Sequence, residues 1–389
     1  MKKRLFLMVL DSFGIGAAPD AEVYGDAGSD TLYAISRSAA FRAPNLTDLG
    51  LFNIAGTKGG AGVSAPRASF ARMAEKSVGK DTTVGHWEIA GLITEKPFPT
   101  YPGGFPRPLL DGLARAVGRD VLCGLPYSGT KVIADYGREH VRTGALIVYT
   151  SADSVLQIAA HEDVVGIESL YDICAKARAF MQGAHAVSRI IARPFAGDFP
   201  DYARTANRRD FALPPPGRTM LDSLCDNGLD VIGVGKISDI FAGRGVSRSY
   251  PTHSNAEGME ATLSRVGDDF SGLCFVNLVD FDMLFGHRND VDGYAAAMAA
   301  FDDWLPAFLS ALGPGDVLII TADHGCDPAT PSTDHSREYT PMLIYGGRVK
   351  AGVNLGTRET MADIAATVLD FFGLPVETQG RSFWEKVKA

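Results

Sequence analysis

Seven acids and histidines of this chain are spaced for metal chemistry. Asp323 and His324 directly follow the short apolar run Val317 to Ile320, and His335 lies beyond a loop containing proline and threonine. An oxygen ligand and two imidazoles just past a strand end suit a catalytic metal. Taken alone, the stretch reads equally as a capped strand exit with surface histidines. Two further apolar runs end in the same way. Leu5 to Leu10 stops at Asp11, and Leu273 to Val279 stops at Asp280 and Asp282, with His287 close behind. In a parallel sheet these carboxyl ends share one edge. A set of this size exceeds what one ion uses and matches a pair of ions about 4 Å apart. Mixed carboxylate and imidazole donors suit Mn²⁺, Zn²⁺ or Mg²⁺ better than a soft metal. His86, His140, His161, His185 and His253 lack this context and read as structural or surface residues. His86 stands out only because it shares a loop with Thr82.

That loop is Gly79-Lys80-Asp81-Thr82-Thr83-Val84-Gly85-His86-Trp87-Glu88. Its glycines predict a loop that turns helical from about Val84. A hydroxyl at a helix start sits among unpaired backbone N–H groups, which suit a phosphate. The competing role for Thr82 or Thr83 is that of a plain N-cap. Asp11-Ser12-Phe13-Gly14-Ile15-Gly16 invites a dinucleotide reading, but Pro19 stands where the third glycine belongs.

The elements that must position these residues alternate. Strands are expected at 5–10, 231–234, 273–279, 317–320 and 342–345, with helices at 44–50, 293–309 and 359–371. Continuous apolar strands and intervening helices predict an α/β fold with a largely parallel sheet between helices. Composition shifts at Lys96 to Pro108, where prolines at 97, 99, 102, 106 and 108 mark a linker, and again at Pro214-Pro215-Pro216-Gly217. Residues 98–216 therefore read as an inserted α/β cap domain for substrate binding, and 1–97 with 217–389 as a discontinuous metal-binding core. The insert has strand signals at 145–150 and 187–192 and a helical pattern at 167–180. It also carries Arg189, Arg193, Arg204, Arg208 and Arg209, suited to phosphate if they cluster.

The chain has 389 residues, 46% hydrophobic and 21% charged, enough for a large core. A net charge of −9 and a pI near 5.4 argue against a nucleic-acid binder. Five cysteines without a C-x-x-C pair suggest no disulfide framework and a reducing cytoplasm. The N-terminus imitates a signal peptide, but its apolar run is short and Asp11 ends it. No stretch is long enough to span a membrane.

Several motifs carry a resemblance. V-L-D-S-F-G-I-G at 9–16, G-S-D-T at 28–31, G-K-D-T-T-V-G-H-W-E at 79–88, Y-T-S-A-D-S-V-L-Q-I-A-A-H-E at 149–162, G-K-I-S-D-I at 235–240, N-L-V-D-F-D at 277–282 and T-A-D-H-G at 321–325 span nearly the whole chain. With them the sequence resembles the phosphopentomutase family of the alkaline phosphatase superfamily. The resemblance implies an alkaline-phosphatase-like core and two Mn²⁺ per chain. Asp11, Thr82, Asp323 and His324 would hold one ion, and Asp282, His287 and His335 the other. It implies that Thr82 carries the phosphoryl group, and that Ser151, Asp153, Arg189 and Arg204 of the cap and Lys236 of the core contact a pentose phosphate. Asp280 has no ligand role by that resemblance. The implied reaction interconverts α-D-ribose 1-phosphate and D-ribose 5-phosphate, and the 2-deoxyribose pair, through a phosphothreonine and a bisphosphate. Glucose 1,6-bisphosphate or a similar sugar bisphosphate would prime it, and the cap must exclude water. No nucleic-acid or membrane partner is expected, and the sequence identifies no protein partner.

A sulfatase would need C-x-P-x-R at its nucleophile. Cys326-Asp327-Pro328-Ala329-Thr330 imitates this motif but has threonine in place of the arginine and follows the metal-type residues. A hydrolase on the same core is the nearest alternative. A non-catalytic metal- or nucleotide-binding protein would not need a hydroxyl aimed at the metals.

Overall fold

The computed structural model describes residues 2–151 and 153–389. The chain divides into two compact units, one of Met1–Lys96 with Pro215–Ala389 and one of Pro97–Pro214.

The first unit is built on an eight-stranded sheet. Its strands lie in the order Arg248–Tyr250, Asp230–Val234, Gly272–Leu278, Arg4–Leu10, Asp316–Thr321, Thr340–Gly346, Ser69–Met73 and Asn354–Arg358. Only Thr340–Gly346 runs against the rest. Arg4–Leu10 pairs with Gly272–Leu278 on one side and Asp316–Thr321 on the other, parallel to both. All three are buried on both faces, apart from the partly exposed Arg4, and this is why their sequences are apolar without alternation. Phe6, Met8 and Leu10 share one core cluster with Phe301, Leu305 and Phe308 of the helix Val291–Ala311. On the opposite face, the helices Thr82–Ile89, Met220–Asp226 and Ala362–Phe372 pack together, and Trp87 is fully buried.

The second unit has a six-stranded sheet. Val121–Pro126, Leu146–Thr150, Val155–His161, Arg189–Ala196 and Ala203–Arg204 follow one another, and Arg209–Ala212 also pairs with Arg189–Ala196. Helices Arg107–Val117 and Ile167–Phe180 pack on one face, and Gly129–Thr143 on the other. The proline-rich stretch expected as a linker as far as Pro108 instead enters a helix at Arg107. Pro108 lies in that helix's first turn, where a missing N–H costs nothing. Among the described residues, no helix is long and apolar enough to cross a membrane.

Candidate active site and metal centre

The carboxyl ends of the three central strands lie side by side, and each hands its chain to a tight turn. After Leu10 the backbone donates from the Asp11 N–H to the Leu278 carbonyl (3.2 Å) and turns through Ser12 at φ +68°. The Ser12 N–H then donates to Asp323 Oδ1 (3.1 Å), so the first and third strand exits are tied together. After Leu278 a wide turn, Phe281–Phe285, presents Asp282, and the tight turn Gly286–Arg288 presents His287. Asp280 is turned aside: it accepts from the Asn255 N–H (2.7 Å) and donates its own N–H to Asn255 Oδ1 (2.9 Å). The loop after Asp323-His324 is pinched at its base by paired backbone bonds between Gly325 and Ser336. This closure brings His335 back beside His324, with ring centroids 4.1 Å apart.

Thr82 opens the helix Thr82–Ile89. Asp81, not either threonine, is the N-cap. Its Oδ1 accepts from the N–H groups of Thr83 (3.0 Å) and Val84 (3.2 Å). The capping role open to Thr82 in the sequence is thus taken by its neighbour, and the Thr82 hydroxyl is spared. It lies 3.1 Å from His324 Nε2. Gly85 lets the helix come so close. A β-carbon there would collide with the Asp323 carbonyl oxygen and lie 2.9 Å from Asp323 Cβ. The segment entering the helix is anchored from below by Arg337, which is 2% exposed. Its guanidinium pairs with Glu75 (2.6 Å) and donates to the carbonyls of Ser77 (2.9 Å) and Gly79 (2.7 Å).

Three donor groups could each hold an ion: Asp11, Asp323 and His324; Asp282, His324 and His335; and Asp282, His287 and Cys326. Within each, the ligand atoms lie within 4.8 Å of one another. His324 stands between the first two groups, and Cys326 joins the third, which the sequence did not suggest. His324 Nδ1 donates to the Gly325 carbonyl (3.0 Å) and His287 Nδ1 to the Thr333 carbonyl (2.7 Å). That leaves each Nε2 facing the acids, the orientation of an imidazole that can ligate a metal once this nitrogen is free of its proton. Asp11 Oδ1, Asp282 Oδ1, Asp323 Oδ2 and His335 Nε2 are buried with no hydrogen-bond partner. Buried acceptors left unspent are costly unless a cation takes them. The residues therefore fit divalent metal.

The electrostatics agree. Burial pushes the Asp11 carboxyl up, and the neighbouring Asp323 and Asp282 push it further. Burial also opposes ionisation of Asp323, but the His324 and His86 imidazoles hold it below the usual range. Asp282 is likewise held low, against its burial, by His335 and His287. His287, hydrogen-bonded to Asp282, is pushed up to about 9. Three carboxylates in a dry pocket thus draw on whatever positive charge is at hand.

Lys236 follows the strand Asp230–Val234 at the same sheet edge, with Nζ 4.0 Å from Met283 Sδ. The remaining predicted substrate residues lie in the second unit. Ser151 and Asp153 sit in the turn between Leu146–Thr150 and Val155–His161, and the Asp153 N–H donates to Ser151 Oγ (3.3 Å). Arg189 pairs with Val155 at the near end of its strand and lies 3.5 Å from Asp210. Arg204 joins the sheet further along, opposite Phe195. Its guanidinium occupies the space beside Gly129 and the Tyr149 hydroxyl that a β-carbon on Gly129 would take. Arg193 lies between, donating to Gln157 Oε1 (3.0 Å). Arg209 stacks on Tyr171 and Phe211 and is committed to packing.

The fold and this edge of acids and imidazoles define a class. The metalloenzyme superfamily matches the chain over residues 3–376, and the chain belongs to it. A solved Pyrococcus horikoshii protein, PH0037, shares the fold at a TM-score of 0.50 and 16% identity, over 96% of this chain and 97% of its own. Within the superfamily the chain belongs to the phosphopentomutases. It is 59% identical over 385 residues to the phosphopentomutase of Lachnoclostridium phytofermentans, covering 99% of each. It is 54% identical over 382 residues to that of Acetivibrio thermocellus, covering 98% of each. It is accordingly an isomerase of the intramolecular phosphotransferase type, on an α/β core with a largely parallel sheet.

Sequence reasoning passed over His86, Asn277 and Arg337. Two signals were available. His86 stands four residues after Thr82, on the same helix face, and Asn277 is a lone polar residue in the middle of a buried apolar strand.

Proposed function

We propose that this enzyme interconverts α-D-ribose 1-phosphate and D-ribose 5-phosphate, and the 2-deoxyribose pair, through a phosphothreonine at Thr82 and a sugar bisphosphate. One observation carries the reading: a threonine hydroxyl, released from capping duty by Asp81, points into a cluster of metal-competent donors 3.1 Å from His324 Nε2. Close relatives carry the phosphopentomutase name.

In this reading Asp11, Thr82, Asp323 and His324 hold one Mn²⁺ and Asp282, His287 and His335 the other. When bound, the ions neutralise charge on the transferring phosphoryl group and favour the threonine alkoxide. The protein's own residues do the rest. The helix head holds Thr82; the bond from its Oγ to phosphorus breaks as one forms to the free hydroxyl of the sugar phosphate, and that hydroxyl's proton ends on Thr82 Oγ. The resulting bisphosphate turns end for end, and its other phosphoryl group returns to Thr82. Lys236 in the core unit, and Ser151, Asp153, Arg189 and Arg204 in the inserted unit, hold the remote phosphate and the sugar. A sugar bisphosphate such as glucose 1,6-bisphosphate loads Thr82 for the first turnover. The net charge of −9 disfavours a nucleic-acid partner and requires that a phosphate substrate be met by local positive charge. The five free cysteines suit the cytoplasm.

The test is ribose 5-phosphate with Mn²⁺, with and without glucose 1,6-bisphosphate, scored for ribose 1-phosphate against free phosphate. Native enzyme should form ribose 1-phosphate and gain an adduct of about 80 Da. Thr82→Ala should keep its fold and its metal but lose both turnover and adduct. Full mutase activity in that variant would refute the mechanism, and release of free phosphate alone would make the protein a hydrolase.

A further inference from the structure

His86 is fully buried and is not among the residues assigned to the metals. Its ring nevertheless reaches Thr82 and Asp323 directly, and Asp11 through Asn277. Nδ1 donates to the carbonyl of Thr82 (2.9 Å) and lies 3.1 Å from Asp323 Oδ2. Nε2 lies 3.4 Å from Asn277 Nδ2, and the same amide donates to Asp11 Oδ2 (2.9 Å). The ring is held flat against Phe275 at a centroid distance of 5.8 Å.

The hydrogen-bond types leave one consistent arrangement. The Asn277 amide has two N–H donors, one for Asp11 and one for His86, so His86 Nε2 accepts. His86 Nδ1 then carries the single proton, directed at Thr82 and Asp323. Turning the Asn277 amide over would set its oxygen against a carboxylate, which the site disfavours. The ring thus stands between the two acids, with the nucleophile's own backbone on the same nitrogen as Asp323.

We infer that His86 and Asn277 are positioning residues that set the ligating orientation of Asp323 and Asp11 and tie it to the placement of Thr82. Outer partners of this kind orient metal ligands and are worth about ten- to a hundredfold in affinity. The inference rests on the two-ion reading above and adds that one of the two sites is selectively governed by a residue pair that touches neither ion.

The experiment measures Mn²⁺ binding to the full-length metal-stripped chain by the electron paramagnetic resonance signal of free Mn²⁺. Kinetics with ribose 5-phosphate run alongside. Native protein should bind two ions. His86→Phe keeps the ring volume and the contact with Phe275 but removes both nitrogens. It should weaken one ion by about ten- to a hundredfold and leave the other unchanged, and it should lower kcat with little change in KM. His86→Asn restores an N–H where Nδ1 stood and should recover most of that affinity. Asn277→Ala, reached from the opposite side of the pair, should weaken the same single ion. It decides the matter if His86→Phe does not fold. Native-like binding of both ions in His86→Phe and Asn277→Ala would overturn the inference, as would equal loss of both ions or no recovery in His86→Asn. Fewer than two ions on the native chain would instead count against the two-ion reading itself.

Discussion

Thr82 and Asp323 approach each other only because position 85 has no side chain. The helix carrying Thr82 lies against the strand exit carrying Asp323, and a methyl group at Gly85 would occupy the place of the Asp323 carbonyl. Overpacking of this kind costs about 1–3 kcal/mol, because neither backbone segment can yield without moving. Gly85→Ala is therefore expected to lower the melting temperature. It should also reduce turnover by about a hundredfold, since a shift of about 1 Å at a nucleophile has that effect. A variant with native turnover would show that the helix can slide without consequence. Glu338 supports the same exit from beneath. Its carboxylate accepts from the N–H groups of Gly16 (3.1 Å) and Thr31 (3.0 Å) and from the hydroxyls of Thr31 (2.8 Å) and Ser336 (2.7 Å). All four partners are donors, so an amide at this position would face two hydroxyls whose hydrogens already point at it.

At the scale of elements, the strands of the inserted unit hold a second buried histidine with a different task. His140, on the helix Gly129–Thr143, donates from Nδ1 to the Ala145 carbonyl (2.6 Å) and accepts at Nε2 from the His161 N–H (2.9 Å). Burial lowers its pKa from 6.5, and protonation at Nε2 would oppose the His161 N–H directly. A histidine with a lowered folded pKa adds stability that is present above its unfolded value. That stability is lost as pH falls from about 6.5 through the folded value. Thermal melts taken from about pH 7.5 to about pH 5 should show the loss. His140→Gln, which keeps an acceptor for the His161 N–H, should flatten it, and an unchanged slope in that variant would exclude His140 as the titrating group.

Much of this was legible from periodicity. The runs at 5–10, 273–279 and 317–320 are apolar throughout because both faces are covered, and that same feature marked their ends as places for acids. The strands Ser69–Met73 and Asn354–Arg358 were not legible, because S-F-A-R-M and N-L-G-T-R are short, mixed and near the edge of the sheet. Val155–His161 was hidden for another reason: V-L-Q-I-A-A-H, though wholly buried, carries a glutamine and a histidine within it. The gathering of Asp11, Asp282, His287, Asp323, His324 and His335 could be anticipated from strand ends. The His86–Asn277 contact could not, because it joins residues 191 positions apart through neither a motif nor a period.

At the scale of the whole molecule, the inserted unit has its own sheet and its own apolar clusters on both faces. Its size is within the range that folds alone. Expressed as residues 97–214, it is expected to melt cooperatively, with a far-ultraviolet spectrum of mixed helix and strand. A fragment without a transition would show that it depends on the remainder. The core unit has the opposite character, since its sheet is closed only by residues from both ends of the chain. The central strand Arg4–Leu10 leaves the ribosome ahead of its partners Gly272–Leu278 and Asp316–Thr321, which follow only after the entire insert has been made. At about 5–20 residues per second the wait is on the order of tens of seconds. Throughout it, a strand apolar from Leu5 to Leu10 lacks both of these neighbours, while the insert downstream is already free to fold. The order of translation thus gives the two units separate births, and it leaves Arg4–Leu10 waiting for its partners while the insert folds.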